Sequence, residues 1–334
     1  MGLQTTVSVL LPFRNAAATL AAALDTIRVQ SLQSFECLVI DNESTDNSAR
    51  IAAALCRSDH RFRVLRQSGD LVEALNAGVE HARAPYIARM DADDLAHPRR
   101  LERQLAWLTA DPSLTIVSSL VAGVPGQQLR DGMHRYLSWL NTLRSRDEIR
   151  NALFIESPLV HPSVMLSRDA VRSVGKYQHT SGPEDYDLWL RLLLGGHRAA
   201  KVPEPLLHWR DSPDRLTRVD PRYQRQRFFD TKLRYFPIVV PPGTQFQVWG
   251  AGPIGRRWAR ALRTRGYAIR RFIDVDPRKI GRTACGASIE PPEYLTPGEG
   301  FVLAAVGSPG ARERIESYLR GRDLRPWRDY LAVA

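Results

Sequence analysis

Short apolar runs alternate with amphipathic segments through the first hundred residues of the chain. Four of these runs have the length and composition of buried strands, at 6–11, 35–40, 61–66 and 86–90. Between them, segments rich in alanine and leucine repeat their apolar positions with helical spacing, at 16–30, 47–56 and 70–82. Strands that alternate with helices at short intervals predict a doubly wound, mostly parallel α/β sheet.

Carboxylates follow two of the predicted strands, at the point where each strand ends. Asp41 follows the second strand, and Asp91 and Asp93 follow the fourth. Open α/β sheets bind ligands at the carboxyl ends of their strands, and an Asp-x-Asp there supplies hard oxygen ligands that suit Mg²⁺ or Mn²⁺. The alternatives are an Asx turn or cap at Asp41, and a cap at Asp93 or Asp94 for a helix over 98–110.

A second acidic position begins a helix in the middle of the chain. Glu184 and Asp185 follow a Gly-Pro pair and precede an apolar helical face. Acids in a first turn are favoured by the helix dipole, but a carboxylate at a helix start that faces a pocket also serves as a general base. The following strand ends with His208, a candidate metal ligand whose alternative is packing, and Arg210, a candidate phosphate contact or surface ion pair.

The chain is strongly basic, and arginine carries almost all of its positive charge. Of 47 basic residues only four are lysine, and 36 acidic residues leave a net charge of +11. Arginine binds phosphate oxygens in a fork, so the excess suits nucleotide substrates or an anionic membrane surface. The sequence contains neither a dense basic tract nor a nucleic-acid motif, so we expect no nucleic-acid partner.

Cysteine usage and hydropathy predict a cytoplasmic protein. Three cysteines without metal-ligand spacing indicate reduced thiols, and no apolar run reaches the roughly 18 residues of a membrane-spanning helix. The stretch 215–236 mixes arginine with aromatic residues. It is either a peripheral contact with the inner face of the membrane, close to a lipid-linked acceptor, or a helix that packs between domains.

Five motifs follow one another along the first two thirds of the chain. They are Pro12-x-x-Asn15, Val39-Ile40-Asp41-x-x-Ser44-Thr45-Asp46, Asp91-Ala92-Asp93-Asp94, His161-Pro162-Ser163 and Glu184-Asp185-Tyr186-Asp187-Leu188-Trp189. This order resembles that of family 2 glycosyltransferases over about residues 5–218. The resemblance implies a GT-A fold, a nucleotide-sugar donor, a divalent metal ion and inversion at the anomeric carbon.

Carried onto this chain, the resemblance makes Asp185 the catalytic base, and the metal ligands are expected at Asp93 and His208. The expected donor-binding positions are Pro12, Asn15, Asp41, Asn42, Asp91 and Arg210. One position departs from the family pattern, since many members have a second aspartate where this chain has Asn42. An amide has both a donor and an acceptor group, so a UDP-sugar is favoured, while a thymidine or guanosine sugar stays open.

The last third of the chain predicts a second, smaller domain. A proline-rich linker over 237–243 separates a domain over 1–236 from one over 244–334. In the smaller domain the sequence predicts a strand, a glycine-rich loop, a helix and a second strand that ends in an acidic residue. This order is typical of a Rossmann-like nucleotide site. Its candidate residues are Gly250, Gly252, Gly255 and Asp274. Binding of a nucleotide or nucleotide-sugar and a scaffold role are both open, because Pro253 removes a backbone donor from the loop.

These patterns together favour an inverting, metal-dependent glycosyltransferase that moves a sugar from a nucleoside-diphosphate sugar to a hydroxyl of a glycan or lipid-linked glycan. A sugar-phosphate nucleotidyltransferase is one alternative, but it requires a glycine-rich loop with Arg or Lys after the first strand. The chain has Pro12-Phe13-Arg14-Asn15 at that point. A non-catalytic nucleotide-sugar-binding subunit is the other alternative, and it would have no use for both acidic motifs.

Overall fold

The computed structural model describes residues 5–126, 129, 131–212 and 215–334. The chain divides into two compact units. The first comprises Met1–Ile149 and Pro158–Arg227, and the second comprises Arg150–Ser157 and Phe228–Ala334. Each unit contains one sheet with helices. The predicted α/β class, with a larger sheet domain followed by a smaller one, is confirmed.

The first unit contains an eight-stranded sheet within the described residues. Its strands are β1 (Val7–Phe13), β2 (Phe35–Asp41), β3 (Phe62–Arg66), β4 (Tyr86–Arg89), β5 (Leu95–Ala96), β6 (Ile116–Gly123), β7 (Met165–Ser167) and β8 (Ala199–Trp209). The helices that begin in this unit are α1 (Leu20–Arg28), α2 (Ser48–Ser58), α3 (Leu71–His81), α4 (Arg100–Ala110), α5 (Asp131–Thr142), α6 (Arg146–Ala152), α7 (Arg168–Ser173), α8 (Glu184–Leu194), α9 (Leu216–Val219) and α10 (Arg225–Val239).

The strand order of this sheet is β3-β2-β1-β4-β7-β6-β8-β5. Strands β1 to β4 are parallel, and every residue of β1 and β2 is buried, which explains why these strands are almost continuous apolar runs. β7 runs antiparallel to β4 and β6, and β5 runs antiparallel to β8. The sheet is therefore mostly parallel, as predicted, with its antiparallel pairings confined to two short strands.

The register of the parallel strands brings two acidic loops to one edge of the sheet. Phe13 at the end of β1 pairs with Asp41 at the end of β2, and Leu10 pairs with Arg89 at the end of β4. The Met90 amide donates to the Leu10 carbonyl oxygen (3.0 Å), so Asp91 follows directly at the same edge. The convergence that the sequence predicted for the strand ends is thus present.

Helix α4 begins later than the sequence predicted. The helix expected from residue 98 starts at Arg100, and its N-cap is Arg99. The short strand β5 lies between the acidic triplet and the helix. Neither Asp93 nor Asp94 therefore caps α4, which removes the main structural alternative to a functional role for these carboxylates.

The second unit contains a six-stranded sheet. Its strands are β9 (Gln245–Trp249), β10 (Ala268–Ile273), β11 (Thr283–Ala284), β12 (Ala287–Glu290), β13 (Phe301–Ala304) and β14 (Tyr330–Ala332), and its further helices are α11 (Pro253–Arg263) and α12 (Ala311–Arg320). The strand order is β11-β12-β10-β9-β13-β14, and β11 alone pairs antiparallel. The five parallel strands are β12, β10, β9, β13 and β14, with β9 in the middle, which is the arrangement of a Rossmann-like sheet.

The division between the units differs from the predicted boundaries. Helix α10 continues through Pro237 to Val239, so the interval 237–243 begins inside a helix rather than as a linker. The second unit starts at Phe228 and also takes in Arg150–Ser157. Pro237 removes one backbone donor from α10, and the helix ends two residues after it, at Val239. Among the described residues, no helix has the length and apolar composition needed to cross a membrane.

Candidate active site

The loops that follow β1 and β2 are hydrogen-bonded to each other. Asn15 has a left-handed backbone (φ 51°), and its Oδ1 accepts from the Thr45 amide (2.8 Å) while its own amide donates to Ser44 Oγ (3.1 Å). Asp41 Oδ1 accepts from the Ser44 amide (3.0 Å). Pro12 lies within β1, opposite Ile40. These contacts fix the shape of the edge at which Asp41 is presented.

Asp41 lines an open pocket of about 230 Å³. The other residues that line it are Glu43, Arg66, Gln67 and Ser68. Asn42 follows Asp41 directly and is buried. In the orientation that satisfies its neighbours, Asn42 Nδ2 donates to the carbonyl oxygens of Gly69 (3.0 Å) and Gln67 (3.2 Å). Both donor hydrogens are therefore engaged, and Asn42 offers a ligand only its acceptor oxygen.

Three carboxylates converge after β4. One oxygen each from Asp91, Asp93 and Asp94 lies within 4.8 Å of the other two. Burial, and then the nearby charge of Asp91, raise the pKa of Asp93. Burial likewise raises the pKa of Asp94 well above its usual value. Asp94 Oδ1 accepts from the Arg210 amide (2.8 Å), whereas Asp94 Oδ2 is buried without a hydrogen-bond partner in the described part of the chain.

Two buried arginines lie beneath this acidic triplet. Arg89 Nη2 binds Asp91 Oδ1 at 2.6 Å, and Arg100 Nη2 donates to the Arg89 carbonyl oxygen (2.6 Å). Arg100 is fully buried, and burial lowers its pKa to about 9. From the other side, Arg210 Nε donates to the Asp93 carbonyl oxygen (2.8 Å). The guanidinium groups of Arg89 and Arg210 thus contact the triplet, and Arg100 binds the backbone of Arg89.

Asp185 is half-buried in the first turn of α8. Burial raises its pKa to about 8, and the negative charges of Glu184 and Asp91 act in the same direction. The influence of Asp91 places Asp185 within the electrostatic field of the acidic triplet. Its Oδ1 accepts from the Tyr186 amide (2.7 Å). A carboxylate with a raised pKa at the start of a helix can take up a proton near neutral pH.

The neighbour of Asp185 in sequence belongs to a buried polar network. Both Glu184 oxygens accept from the Tyr223 hydroxyl (2.9 and 2.8 Å), and His161 Nδ1 lies 3.8 Å from Glu184 Oε1. His161 Nε2 and the Tyr177 hydroxyl are hydrogen-bonded at 2.9 Å. Burial lowers the pKa of His161 well below its usual value, and the charge of Arg89 adds to this, so the imidazole is neutral.

His208 is not brought into the acidic triplet. Its Nδ1 lies 3.3 Å from the Gly123 carbonyl oxygen, and on the other side its strand pairs it with Leu95. Among the described residues, the groupings of potential ligands within 4.8 Å are the acidic triplet and a separate set of Asp70, Glu73 and His179. A metal site in this edge would therefore use the aspartates, and the role expected for His208 stays a prediction.

The sequence pattern described as Glycosyl transferase family 2 matches residues 8–175, half of the chain. EpsE of Bacillus subtilis (strain 168) is 32% identical over 224 residues, which cover 64% of this chain and 75% of EpsE. This chain belongs to glycosyltransferase family 2. It is a glycosyltransferase enzyme, and its first unit has the GT-A fold that the sequence predicted.

Solved structures of low sequence identity share the fold of this glycosyltransferase. TarS of S. aureus (residues 1–349), in complex with UDP-GlcNAc, matches with a TM-score of 0.54 and 15% identity over 71% of this chain and 67% of that chain. The mannosyltransferase PcManGT of Pyrobaculum calidifontis, in complex with GDP-Man and Mn²⁺, matches with a TM-score of 0.53 and 18% identity. That match covers 72% of this chain and 65% of PcManGT.

The glycine loop of the second unit of the glycosyltransferase is formed by close backbone packing. A Cβ at Gly255 would lie 1.8 Å from the Gly250 carbonyl oxygen, and a Cβ at Gly250 (φ 110°) would lie 2.9 Å from the Ala305 carbonyl oxygen. Asp274 Oδ2 accepts from the Ala251 amide (2.9 Å) and from Lys279 Nζ (3.1 Å). Packing and hydrogen bonds within the protein therefore account for Gly250, Gly255 and Asp274. Nucleotide binding by this loop stays a prediction.

Sequence reasoning missed several groups that surround the site of the glycosyltransferase. Arg89 belongs to an apolar run, and its burial against Asp91 has no signal in the pattern. Tyr223 stands 39 residues from Glu184 and lies in a stretch assigned to a membrane or domain contact. His161 lies in the motif His161-Pro162-Ser163. That motif was a signal from which a position close to Glu184 could have been predicted.

Proposed function

We propose that this glycosyltransferase moves a sugar, with inversion, from a nucleoside-diphosphate sugar to a hydroxyl group of a glycan or lipid-linked glycan. The observation that carries the proposal is the pairing of Asp185 with the acidic triplet. Asp185 has a pKa of about 8, raised first by burial and then by Glu184 and Asp91. The charge of Asp91 thus acts on the proposed proton acceptor, which supports a common site for Asp185 and the oxygen ligands of the triplet.

In this proposal Asp185 accepts the proton of the acceptor hydroxyl. The acceptor oxygen then forms a bond to the anomeric carbon while the bond from that carbon to the diphosphate oxygen breaks. Attack from the side opposite to the diphosphate inverts the anomeric configuration. One carboxylate is enough, since the leaving group is a nucleoside diphosphate that departs as an anion.

The acidic triplet fits a divalent cation. Its ligands are carboxylate oxygens, which Mg²⁺ and Mn²⁺ prefer, and buried Asp94 Oδ2 lacks a hydrogen-bond partner within the described residues. Asp91 and Asp93 would hold the ion, which would neutralise charge on the departing diphosphate. The Mn²⁺ complex of PcManGT supports this assignment by similarity of fold.

The donor is proposed to be a UDP-sugar, with Asp41 and Asn42 at the nucleoside. TarS carries UDP-GlcNAc and PcManGT carries GDP-Man, so the fold accommodates both nucleosides. The engaged amide nitrogen of Asn42 leaves it an acceptor, as an aspartate would be. An acceptor at this position suits the imino N–H of uracil. The pocket beside it also contains Arg66, a donor for a base carbonyl.

A panel of nucleotide-sugars tests the proposal. We expect one class of donor to raise the melting temperature and to be hydrolysed slowly only with Mn²⁺ or Mg²⁺. The proposal would be overturned if no nucleotide-sugar bound in the presence of either Mn²⁺ or Mg²⁺. The anomeric configuration of the transferred sugar, read by NMR, separates inversion from retention.

Replacement of Asp185 by Asn tests its role as the base. We expect Asp185→Asn to lower kcat by roughly 10²- to 10⁴-fold while the donor affinity stays within twofold, because the amide keeps the size of the carboxylate but takes up no proton. Asp25→Asn is the matched control, since Asp25 forms only an exposed ion pair with Arg28. Full activity in Asp185→Asn, or equal loss of donor binding, would remove Asp185 as the base.

A further inference from the structure

Glu184 is a buried acid whose position in the reaction is not explained by the base or by the metal site. Its side chain is 2% exposed, at the first residue of α8. A carboxylate buried to this extent is costly unless it is paired and hydrogen-bonded. Burial raises its pKa, and the hydrogen bond from the Tyr223 hydroxyl acts against that shift. Tyr223 is therefore the main hydrogen-bond donor that favours the ionised form of Glu184.

The other charged or titratable groups around Glu184 do not form a direct ion pair with its carboxylate. The His161 imidazole at 3.8 Å is neutral, so it does not supply a full charge. Arg222 and Arg89 act on Glu184 through their fields. Arg222 itself is paired with Asp220 at 2.8 Å, and Arg89 is paired with Asp91. Both guanidinium groups have closer carboxylate partners elsewhere.

Tyr223 is held in place by its own local structure. It ends a short 3₁₀ turn, Pro221–Tyr223, which Asp220 caps by accepting from the Arg222 amide (2.8 Å). Arg222 Nη1 also reaches Asp70 Oδ2 at 3.5 Å, beside the start of α3. The phenol therefore approaches Glu184 from a rigid turn, and it engages both oxygens of one carboxylate.

We propose that Tyr223 is a positioning residue for sugar transfer: its hydroxyl holds the Glu184 carboxylate ionised and fixed beside the base, Asp185. The proposal rests on the proposed function, because it requires Asp185 to remove the acceptor proton. The groups that face Asp185 are Glu184, Asp91, Tyr177 and Tyr223. Through Glu184, the turn at 221–223 thereby controls the pH range in which the base is ready to act.

The Tyr223→Phe variant tests this control. It keeps the ring and removes the hydroxyl, so Glu184 loses its hydrogen-bond donor and becomes neutral at higher pH than before. A neutral Glu184 no longer raises the pKa of Asp185. We expect the ascending limb of the kcat–pH profile to move to lower pH by roughly one unit, with the donor Kd unchanged. Tyr318→Phe, whose hydroxyl donates to the Pro292 carbonyl oxygen in the second unit (2.8 Å), is the matched control and should leave the profile unmoved.

A double-mutant cycle shows whether the effect passes through Glu184. Glu184→Gln keeps an acceptor for the tyrosine but has no charge, so it should move the limb in the same direction. In the Glu184→Gln background, Tyr223→Phe should add no further displacement. An unmoved limb in Tyr223→Phe, or a displacement that persists in Glu184→Gln, would overturn the proposal.

Three further outcomes keep the test decisive. If Tyr223→Phe is too unstable to assay, Glu184→Gln carries the test alone, and an unmoved limb in it overturns the proposal. If Asp185→Asn retains transfer, the proposed base itself fails, and the role of Tyr223 fails with it. If Asp185→Asn is inactive while the limb of Tyr223→Phe stays in place, only the role of Tyr223 is lost.

Discussion

The acids of the active site are held where burial favours their protonated forms. Burial raises the pKa of Asp93, Asp94, Glu184 and Asp185. The hydrogen bonds and arginines around them offset only part of this effect. A bound cation would favour the ionised forms of these acids, and so does a rise in pH. The activity should therefore respond to the cation concentration and to pH.

The pH dependence of transfer follows from the raised pKa of Asp185. The proposed base must be ionised to act, and burial raises the pKa of Asp185 to about 8, so Asp185 is mostly protonated below that pH. We expect kcat to rise with pH and to level off above the midpoint. If the proposed cation binds Asp91, its charge offsets that of Asp91, and the midpoint should lie below 8. A kcat–pH profile that is flat from about pH 5.5 to 8.5 would contradict this expectation.

The sequence predicts which residues lie close together best where the chain itself imposes their proximity. Asp91, Asp93 and Asp94 follow one strand, and the parallel register carries Asp41 to the same edge. The contact of Tyr223 with Glu184 depends instead on how a later turn folds back. No periodicity in the sequence encodes such a contact, because it joins a single pair of residues that lie 39 positions apart.

At the scale of elements, the sequence gives helix and strand identity better than their ends. The strand that the sequence predicts to end with His208 and Arg210 is part of one long strand, β8, which begins at Ala199 and ends at Trp209. Pro203 and Pro205 both lie in β8, and proline within a run argues against a continuous strand. Register shifts between β6 and β8 near Pro205 accommodate it.

The glycine loop before α11 provides a test of element packing. Gly255→Ala would place a methyl group 1.8 Å from the Gly250 carbonyl oxygen, so the start of α11 must move away from β9. We expect a loss of about 3 kcal/mol or more in the free energy of unfolding. Chemical denaturation followed by tryptophan fluorescence measures it.

Gly252→Ala is the matched control for that experiment. A Cβ at Gly252 meets no atom within 4 Å, and its φ of −81° suits any residue. Its cost should stay within about 1 kcal/mol, the range for changes at a helix N-cap. Equal losses in the two variants would contradict the packing explanation for Gly255.

At the scale of the whole molecule, the acidic triplet predicts a stability that depends on divalent cations. Protons and the proposed cation would compete for Asp93, whose pKa is raised by burial and by the charge of Asp91. At lower pH the cation must displace these protons, so it binds more weakly. Stabilisation by Mn²⁺ should therefore grow as the pH rises. We expect a rise in melting temperature of a few degrees at pH 8 and a smaller one at pH 6.

Asp93→Asn is the variant that ties this effect to the triplet. It removes a ligand and one of the repelling charges, so the variant should melt higher than the wild type without a cation and gain less from Mn²⁺. Asp25→Asn should behave as the wild type in both respects. A cation effect that is the same in all three proteins would place it outside the triplet.

The segment 150–157 has a consequence for how the protein is made. It belongs to the second unit although residues of the first unit flank it on both sides. Phe154 is fully buried, with its ring against Phe236 and Trp327. During synthesis Phe154 leaves the ribosome long before Trp327 does, so this apolar segment stays without its partners until the end of the chain has been made. An exchange of residues 228–334 alone would leave Phe154 without Phe236 and Trp327. Residues 150–157 therefore have to be exchanged together with them.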